Sequence, residues 1–148
     1  MRAVARLIKH NELSELLSLY RQLHPDDPDV FNDKTLRDLW EDIYNDPNLY
    51  YIVVEVDGEI VSSCNISIIK NLTHNLRPYA LVENVITAFN QRKKGYASMA
   101  LKKALEIATE NNCYKVMLLT GSKKEETLKF YENAGFVREI KTGFIKIL

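Results

Sequence analysis

A single α/β domain with a mixed sheet is the fold class this sequence predicts, and three observations predict it. Asp57-Gly58 separates two β-branched, aromatic-rich runs, Tyr50 to Val56 and Glu59 to Ile69, which is a strong hairpin signal. A strand-like run from Tyr79 to Thr87 then leads through a polar turn into a long amphipathic helix beginning near Tyr96. After it, the short apolar run Lys115 to Thr120 precedes another helical stretch that stops at Gly135. With the remaining segments the order is β-α-α-β-β-β-α-β-α-β-β.

Each element has its own justification. Ala3 to Ile8 alternates small or apolar residues with Arg and Lys, as a first strand does. Asn11 is the expected N-cap of the first helix, whose apolar face carries Leu13, Leu16, Leu17, Tyr20 and Leu23. Pro25 and Pro28 end it, because proline cannot continue a helix interior. Asp33 caps a second helix with Leu36, Leu39, Trp40 and Ile43 on one side, and Trp40 is read as a core anchor. Asn71 to Arg77 is a polar loop ended by Pro78. The helix from Tyr96 to about Asn111 sets Ala97, Ala100, Leu101, Ala104, Leu105 and Ala108 on a broad face suited to close packing on a sheet. Gly121 and Ser122 open the last helix, and Leu128, Tyr131 and Ala134 share one of its faces. Phe136 to Lys141 and Phe144 to Leu148 are expected as two final strands around Thr142-Gly143.

Composition bounds the function. The 148 residues suffice for one domain with a substantial core, and 46% apolar with 27% charged residues is ordinary for a soluble globular protein. Twenty basic and twenty acidic residues cancel, which argues against general binding of nucleic acid or anionic membrane. No apolar run approaches a membrane span, and the first residues lack the apolar core of a secretory signal. Cys64 and Cys113 make no disulfide framework, and His10, His24 and His74 suggest no metal site. The expectation is a cytoplasmic protein with reduced thiols and no metal.

One stretch breaks a local rule. Arg92, Lys93 and Lys94 stand just before Gly95 and the helix start, where the helix dipole disfavours cations by roughly 0.3–1 kcal/mol each. A bound anion would reconcile cations, dipole and free helix N–H groups. Gly95 lets a ligand approach the backbone, and Ala97 keeps the first turn free of bulk. The P-loop pattern and the dinucleotide pattern G-x-G-x-x-G are both absent, which weakens a nucleotide-binding reading.

Arg92-x-x-Gly95-x-Ala97 resembles the coenzyme-A-binding motif of the GNAT superfamily of N-acetyltransferases, [QR]-x-x-G-x-[GA]. Glu83-Asn84-Val85-Ile86 is similar to that family's fourth strand. Tyr131-Glu132-Asn133-Ala134-Gly135-Phe136 is similar to its Y-E-x-x-G-F signature. The spacing of the motifs and the element order agree along most of the chain. Three departures stand out: Phe89 where proline is common, Lys124 where asparagine is common, and Thr127 where alanine is common.

The resemblance implies a mostly antiparallel sheet flanked by helices, opening in a V between the fourth and fifth strands. It implies acetyl-CoA as co-substrate, with the pantetheine arm paired to the backbone of Val85 and Ile86. The pyrophosphate would rest on the N–H groups from Lys93 through Tyr96, Ala97 and Ser98, with Arg92, Lys93 and Lys94 near the phosphates, and with Lys124 and Phe130 also contributing to the cofactor site. Acetyl transfer to an amine needs a base, an oxyanion donor and a donor to the leaving thiolate. The resemblance supports Glu83 as the base, through a water, and Val85 or Ile86 N–H as the oxyanion donor. Tyr131 is the implied acid. A phenol near pKa 10 facing a thiolate near 8.5 transfers its proton uphill by about 2 kcal/mol, so hydrogen bonding to the thiolate is its main expected contribution. Asn65, His74 and Arg77 are expected at the acceptor site, Arg77 and His74 as ligands of a carboxylate or phosphate on the amine. The acceptor would be a primary amine of a small molecule or peptide, and a homodimer is common in the family. A non-catalytic acyl-CoA-binding or sensing module is the alternative from another class.

Overall fold

The computed structural model describes residues 2–148, which divide into two compact units, 2–117 and 118–148. In the first unit the chain runs β1 (Ala3–Leu7), α1 (Leu13–Leu23), α2 (Lys34–Tyr44), β2 (Leu49–Val56), β3 (Glu59–Ile69), β4 (Tyr79–Thr87) and α3 (Tyr96–Glu110). β5 (Val116–Leu118) crosses the boundary, and α4 (Glu125–Asn133) belongs to the second unit. This is a mixed α/β fold around one five-stranded sheet in the order β1-β2-β3-β4-β5. β1 to β4 form an antiparallel meander. Among the described residues, no helix is long and apolar enough to cross a membrane.

Local chemistry explains most of these elements. Asp57 and Gly58 both take positive φ, 51° and 85°, as a two-residue hairpin turn matched to strand twist requires. Asp33 caps α2 as expected, its carboxylate accepting from Leu36 N–H at 3.0 Å. The expected Asn11 cap does not form. Residues His10–Glu12 make a 3₁₀ turn instead, and the Glu12 carboxylate accepts the Lys9 N–H at 2.7 Å. Glu12 is held there by Arg6, which also reaches Glu55 across the sheet, both at 2.7 Å.

The core lies on both faces of the sheet. On one face Leu16 of α1 and Trp40 of α2 pack with Ile8 and Val53, and Tyr20 and Tyr51 border the cluster. The Trp40 indole donates to the His10 carbonyl at 2.9 Å and stacks on Tyr44, so it is the anchor the sequence suggests. Leu39, expected on the same face, is exposed. Neighbours of Val53 alternate to the other face. There Ile52 and Val54 are fully buried under α3, whose Ala100, Leu101, Ala104, Ile107 and Ala108 allow close approach.

In the second unit α4 ends in a Schellman stop. Gly135, at φ 101°, donates to the Glu132 carbonyl at 2.9 Å, and Phe136 N–H donates to the Tyr131 carbonyl at 3.1 Å. Arg138 then folds back on Glu125 and Glu132. The two final strands expected over 136–141 and 144–148 are absent: those residues carry no strand. Strand propensity is expressed only where a neighbour completes the backbone ladder, and the sheet of this chain stops at β5.

Candidate active site

β4 is irregular in its middle. Glu83 pairs with Asn65 of β3, and Ile86 pairs with Ser63, so a single β3 residue, Cys64, opposes Asn84 and Val85 together. Asn84 sits at φ 54°, the left-handed region that asparagine tolerates better than most residues. This β-bulge takes Asn84 and Val85 out of the regular ladder and turns the strand, a device that recurs beside active sites.

The bulge gathers polar groups on the α1–α2 face. Tyr51, Asn65 and Glu83 form one cross-strand row, so their side chains share a face. Asn65 is buried, and its carbonyl accepts from the Asn84 amide at 3.1 Å. Glu83 itself is exposed. From α1 the Tyr20 hydroxyl reaches the Asn84 side chain; it is buried but makes no hydrogen bond of ordinary geometry. Burial raises the Tyr20 phenol well above its ordinary pKa, raises Tyr51 as well, and pushes the Cys64 thiol up to about 12. Cys64 is therefore a protonated, inert core thiol.

Beyond β4 the chain turns through a 3₁₀ segment, Phe89–Gln91, into α3. Lys93 and Gly95 take φ 64° and 85°, which curls the backbone ahead of the helix. Gly95 occupies the N-cap position, no side chain caps the helix, and a Cβ at Gly95 would meet nothing within 4 Å. The first-turn N–H groups of Tyr96, Ala97 and Ser98 have no intrahelical acceptors. Residues 92–95 and Ser98 are all exposed. The basic residues divide in their duties. Arg92 donates to the Thr87 carbonyl at 3.2 Å and lies over the Phe89 ring, bracing the turn. Lys94 donates to Gln91 at 3.1 Å. Phe89 thus serves as the platform for Arg92.

His74 and Arg77 lie elsewhere. Arg77 donates to the carbonyls of Asn112 and Cys113, at 3.1 and 2.9 Å, just past the end of α3. His74 stacks on Tyr114 with ring centroids 3.9 Å apart. The 15 residues of α3 put this end about 22 Å from the basic turn. Arg77 is also about 20 Å along an extended strand from Glu83. Both residues fasten the β3–β4 loop to the α3–β5 connection, and the structure does not bring them to the bulge with Asn65 and Glu83.

In the second unit, Tyr131 contacts Phe130 and Phe136 edge-on, at 5.1 and 6.3 Å. The helix stop therefore fixes the tyrosine ring, because Phe136 is both the residue that closes the stop and the ring against which Tyr131 packs. Lys124 is exposed at the N-cap of α4, and the Ser122 hydroxyl donates to the Thr127 hydroxyl at 3.1 Å. Phe130 is half-buried.

The acetyltransferase (GNAT) family matches residues 16–136, which include the bulge, the basic turn and α4. The chain belongs to that family. A solved chain from Agrobacterium tumefaciens assigned as an acetyltransferase is 36% identical with a TM-score of 0.92, covering 98% of this chain and 99% of that one. A glucosamine 6-phosphate N-acetyltransferase of Candida albicans is 26% identical over 92 residues, 61% of this chain and 60% of that protein. The N-alpha-acetyltransferase 30 of Xenopus laevis is 33% identical over 100 residues, 66% of this chain and 34% of that protein. The match thus spans less than two thirds of the length of these two curated relatives.

Sequence reasoning did not single out three polar residues that the fold gathers around Asn65 at the bulge: Tyr20, Tyr51 and Asn84. Tyr20 was visible only as one member of an apolar helical face. Asn84 had one usable signal, an asparagine inside an otherwise β-prone strand, which fits a left-handed bulge residue.

Proposed function

We propose that this GNAT-family chain transfers an acetyl group from acetyl-CoA to a primary amine of a small molecule or peptide. One observation carries the proposal: a single strand bears Glu83 beside a bulge and runs on into an uncapped helix start behind Gly95. The exposed turn suits a pyrophosphate, since it offers free N–H groups, Lys93 and Lys94, and open space over Gly95. The backbone of Val85 and Ile86 at the bulge is where the pantetheine arm would pair, in the manner of an added strand.

Acetyl-CoA, when bound, supplies an activated thioester. Glu83 is exposed and on the α1–α2 face, so an incoming ammonium can reach it and lose a proton to it, directly or through a water. Asn65 and Asn84, bonded to each other, hold this corner of the bulge in place. Tyr131 is proposed as the donor to the departing thiolate on the strength of its motif, with Phe130 and Lys124 on the same helix segment proposed to contact the cofactor.

The test is release of free coenzyme A thiol across a panel of amines: amino sugars and their phosphates, peptide N-termini, lysine side chains and polyamines. Glu83→Gln is expected to lower kcat by about 100-fold, within the usual range for a general base, while coenzyme affinity holds. A chain that binds coenzyme A yet turns over no amine would be a sensing module instead.

A further inference from the structure

The turn that leads into α3 is held by a side chain from α1. Phe89 N–H, the first amide of the 3₁₀ segment Phe89–Gln91, donates to the side-chain oxygen of Gln22 at 2.8 Å. Gln22 stands in the last turn of α1, 67 residues earlier in the chain. The first amides of a helical segment have no acceptor within it, and Ala88, at the N-cap position, has no side-chain oxygen to offer. Gln22 therefore caps this segment from another element. The remaining bonds of the turn lie within β3, β4 and the turn itself: Ala88 N–H donates to the Val61 carbonyl and Gln91 N–H to the Ala88 carbonyl, both at 2.8 Å.

The anchor is firm and the turn is not. Leu16 and Leu19 of α1 are buried, so the core fixes the helix that carries Gln22. Phe89 is 78% exposed, and residues 92–95 also lie on the surface. Such a loop must be ordered when a ligand binds, and the ordering subtracts from affinity unless it is complete beforehand. Fixing Phe89 fixes the segment closed by Gln91, whose side chain in turn accepts from the Lys94 ammonium at 3.1 Å. We propose, on the acetyl-CoA reading above, that Gln22 is a positioning residue for the coenzyme. Through the Phe89 N–H it pre-forms the turn that presents Lys93, Lys94 and the first α3 N–H groups to the pyrophosphate.

The partnership can be removed from either side. Ala88 stands at φ −51° and ψ 137°, the extended geometry required of a residue before proline. Phe89 opens a 3₁₀ segment, whose φ suits proline, and its N–H serves a side chain and no backbone acceptor. Phe89→Pro thus deletes the amide that Gln22 holds and fixes the local dihedral covalently. In that background Gln22 has nothing left to position.

The test is calorimetric titration of the full chain with coenzyme A. Gln22→Met keeps the length of the side chain but removes the acceptor, and should weaken binding by about 3–10-fold, the value of one net hydrogen bond. Beside Phe89→Pro the same change should alter binding by less than two-fold, a dependence that a general weakening of α1 would not show. Arg92 loses its ring in both members of that comparison, so this effect cancels. In Gln22→Met the Phe89 amide should exchange its hydrogen faster, while amides of the β2–β3 ladder keep wild-type rates. A wild type that binds no coenzyme A refutes the acetyl-CoA reading and the role of Gln22 with it. A wild type that binds, with Gln22→Met within two-fold of it, overturns the role of Gln22 alone. So does a loss that persists in full beside Phe89→Pro. Should Phe89→Pro fail to fold, Gln22→Met decides by itself: weaker binding with faster exchange at Phe89 supports the role, and weaker binding with unchanged exchange there overturns it.

Discussion

Replacing Gly95 with alanine separates the folding role of this residue from its role in binding. Gly95 stands at φ 85° at the N-cap of α3, and an added Cβ would meet no atom within 4 Å. The folded protein therefore suffers no clash, and the cost is conformational. A non-glycine residue in the left-handed region costs about 1–2 kcal/mol, partly offset by about 0.4–1 kcal/mol from the stiffer unfolded chain. The net loss is about 1 kcal/mol, or a fall of about 2–4 °C in Tm for a chain near this length. The same methyl group occupies the space where a pyrophosphate would approach the first-turn N–H groups. Losing one or two charge-assisted hydrogen bonds, at about 1.5–3 kcal/mol each, weakens coenzyme A binding by at least 10-fold. Calorimetric titration with coenzyme A and a thermal melt on the same sample give both numbers. A Gly95→Ala protein that melts a few degrees lower but binds coenzyme A within two-fold of wild type would refute the placement of the anion.

Other outcomes follow from the packing. Tyr20→Phe removes a buried hydroxyl that makes no hydrogen bond of ordinary geometry, so urea unfolding should show stability unchanged or raised by about 1 kcal/mol; a loss above 1 kcal/mol would mean the hydroxyl has a firm partner. Trp40→Phe deletes the bond to the His10 carbonyl and part of the core volume, and the urea midpoint should reflect a loss of about 2–3 kcal/mol. Arg77→Ala should lower Tm while kcat/KM for every acceptor stays within two-fold, because its guanidinium serves two backbone carbonyls far from Glu83. Acid sensitivity should trace in part to Glu12, whose pKa the bonded Arg6 guanidinium holds below 4.5 in the fold. Its contribution is complete above that value and fades as pH falls through the lower folded pKa. Urea midpoints taken from pH 7 to pH 3 should therefore fall less steeply for Glu12→Gln than for wild type.

Local signals carried most of the architecture. The Asp57-Gly58 turn, the Asp33 cap and the Gly135 stop each act within a few residues, and the hairpin, the start of α2 and the end of α4 formed where the sequence placed them. The basic turn was legible for the same reason, since three cations before a helix start conflict with a short-range rule. What the sequence hid acts across long separations. Arg77 finds its carbonyl partners 35 and 36 residues away, and its role at the far end of α3 depends on the register of β4. Asn84 became a bulge residue because β3 offers one position where β4 supplies two. The segment 136–148 carries strand propensity that no pairing among the described residues satisfies, so pattern alone overstated it.

The stop at the end of α4 gives the Tyr131–Phe136 signature two separable meanings. Gly135 and the Phe136 N–H close the helix, and the atom they require from position 131 is the carbonyl oxygen, which any residue supplies. A chain with another side chain at 131 would still halt its helix in the same place, and a search for the glycine and phenylalanine would still recognise it. The phenol is the portion of the signature that the helix does not need. The proposed donor role therefore rests on the phenol alone, whereas Gly135 and the Phe136 N–H serve the helix end.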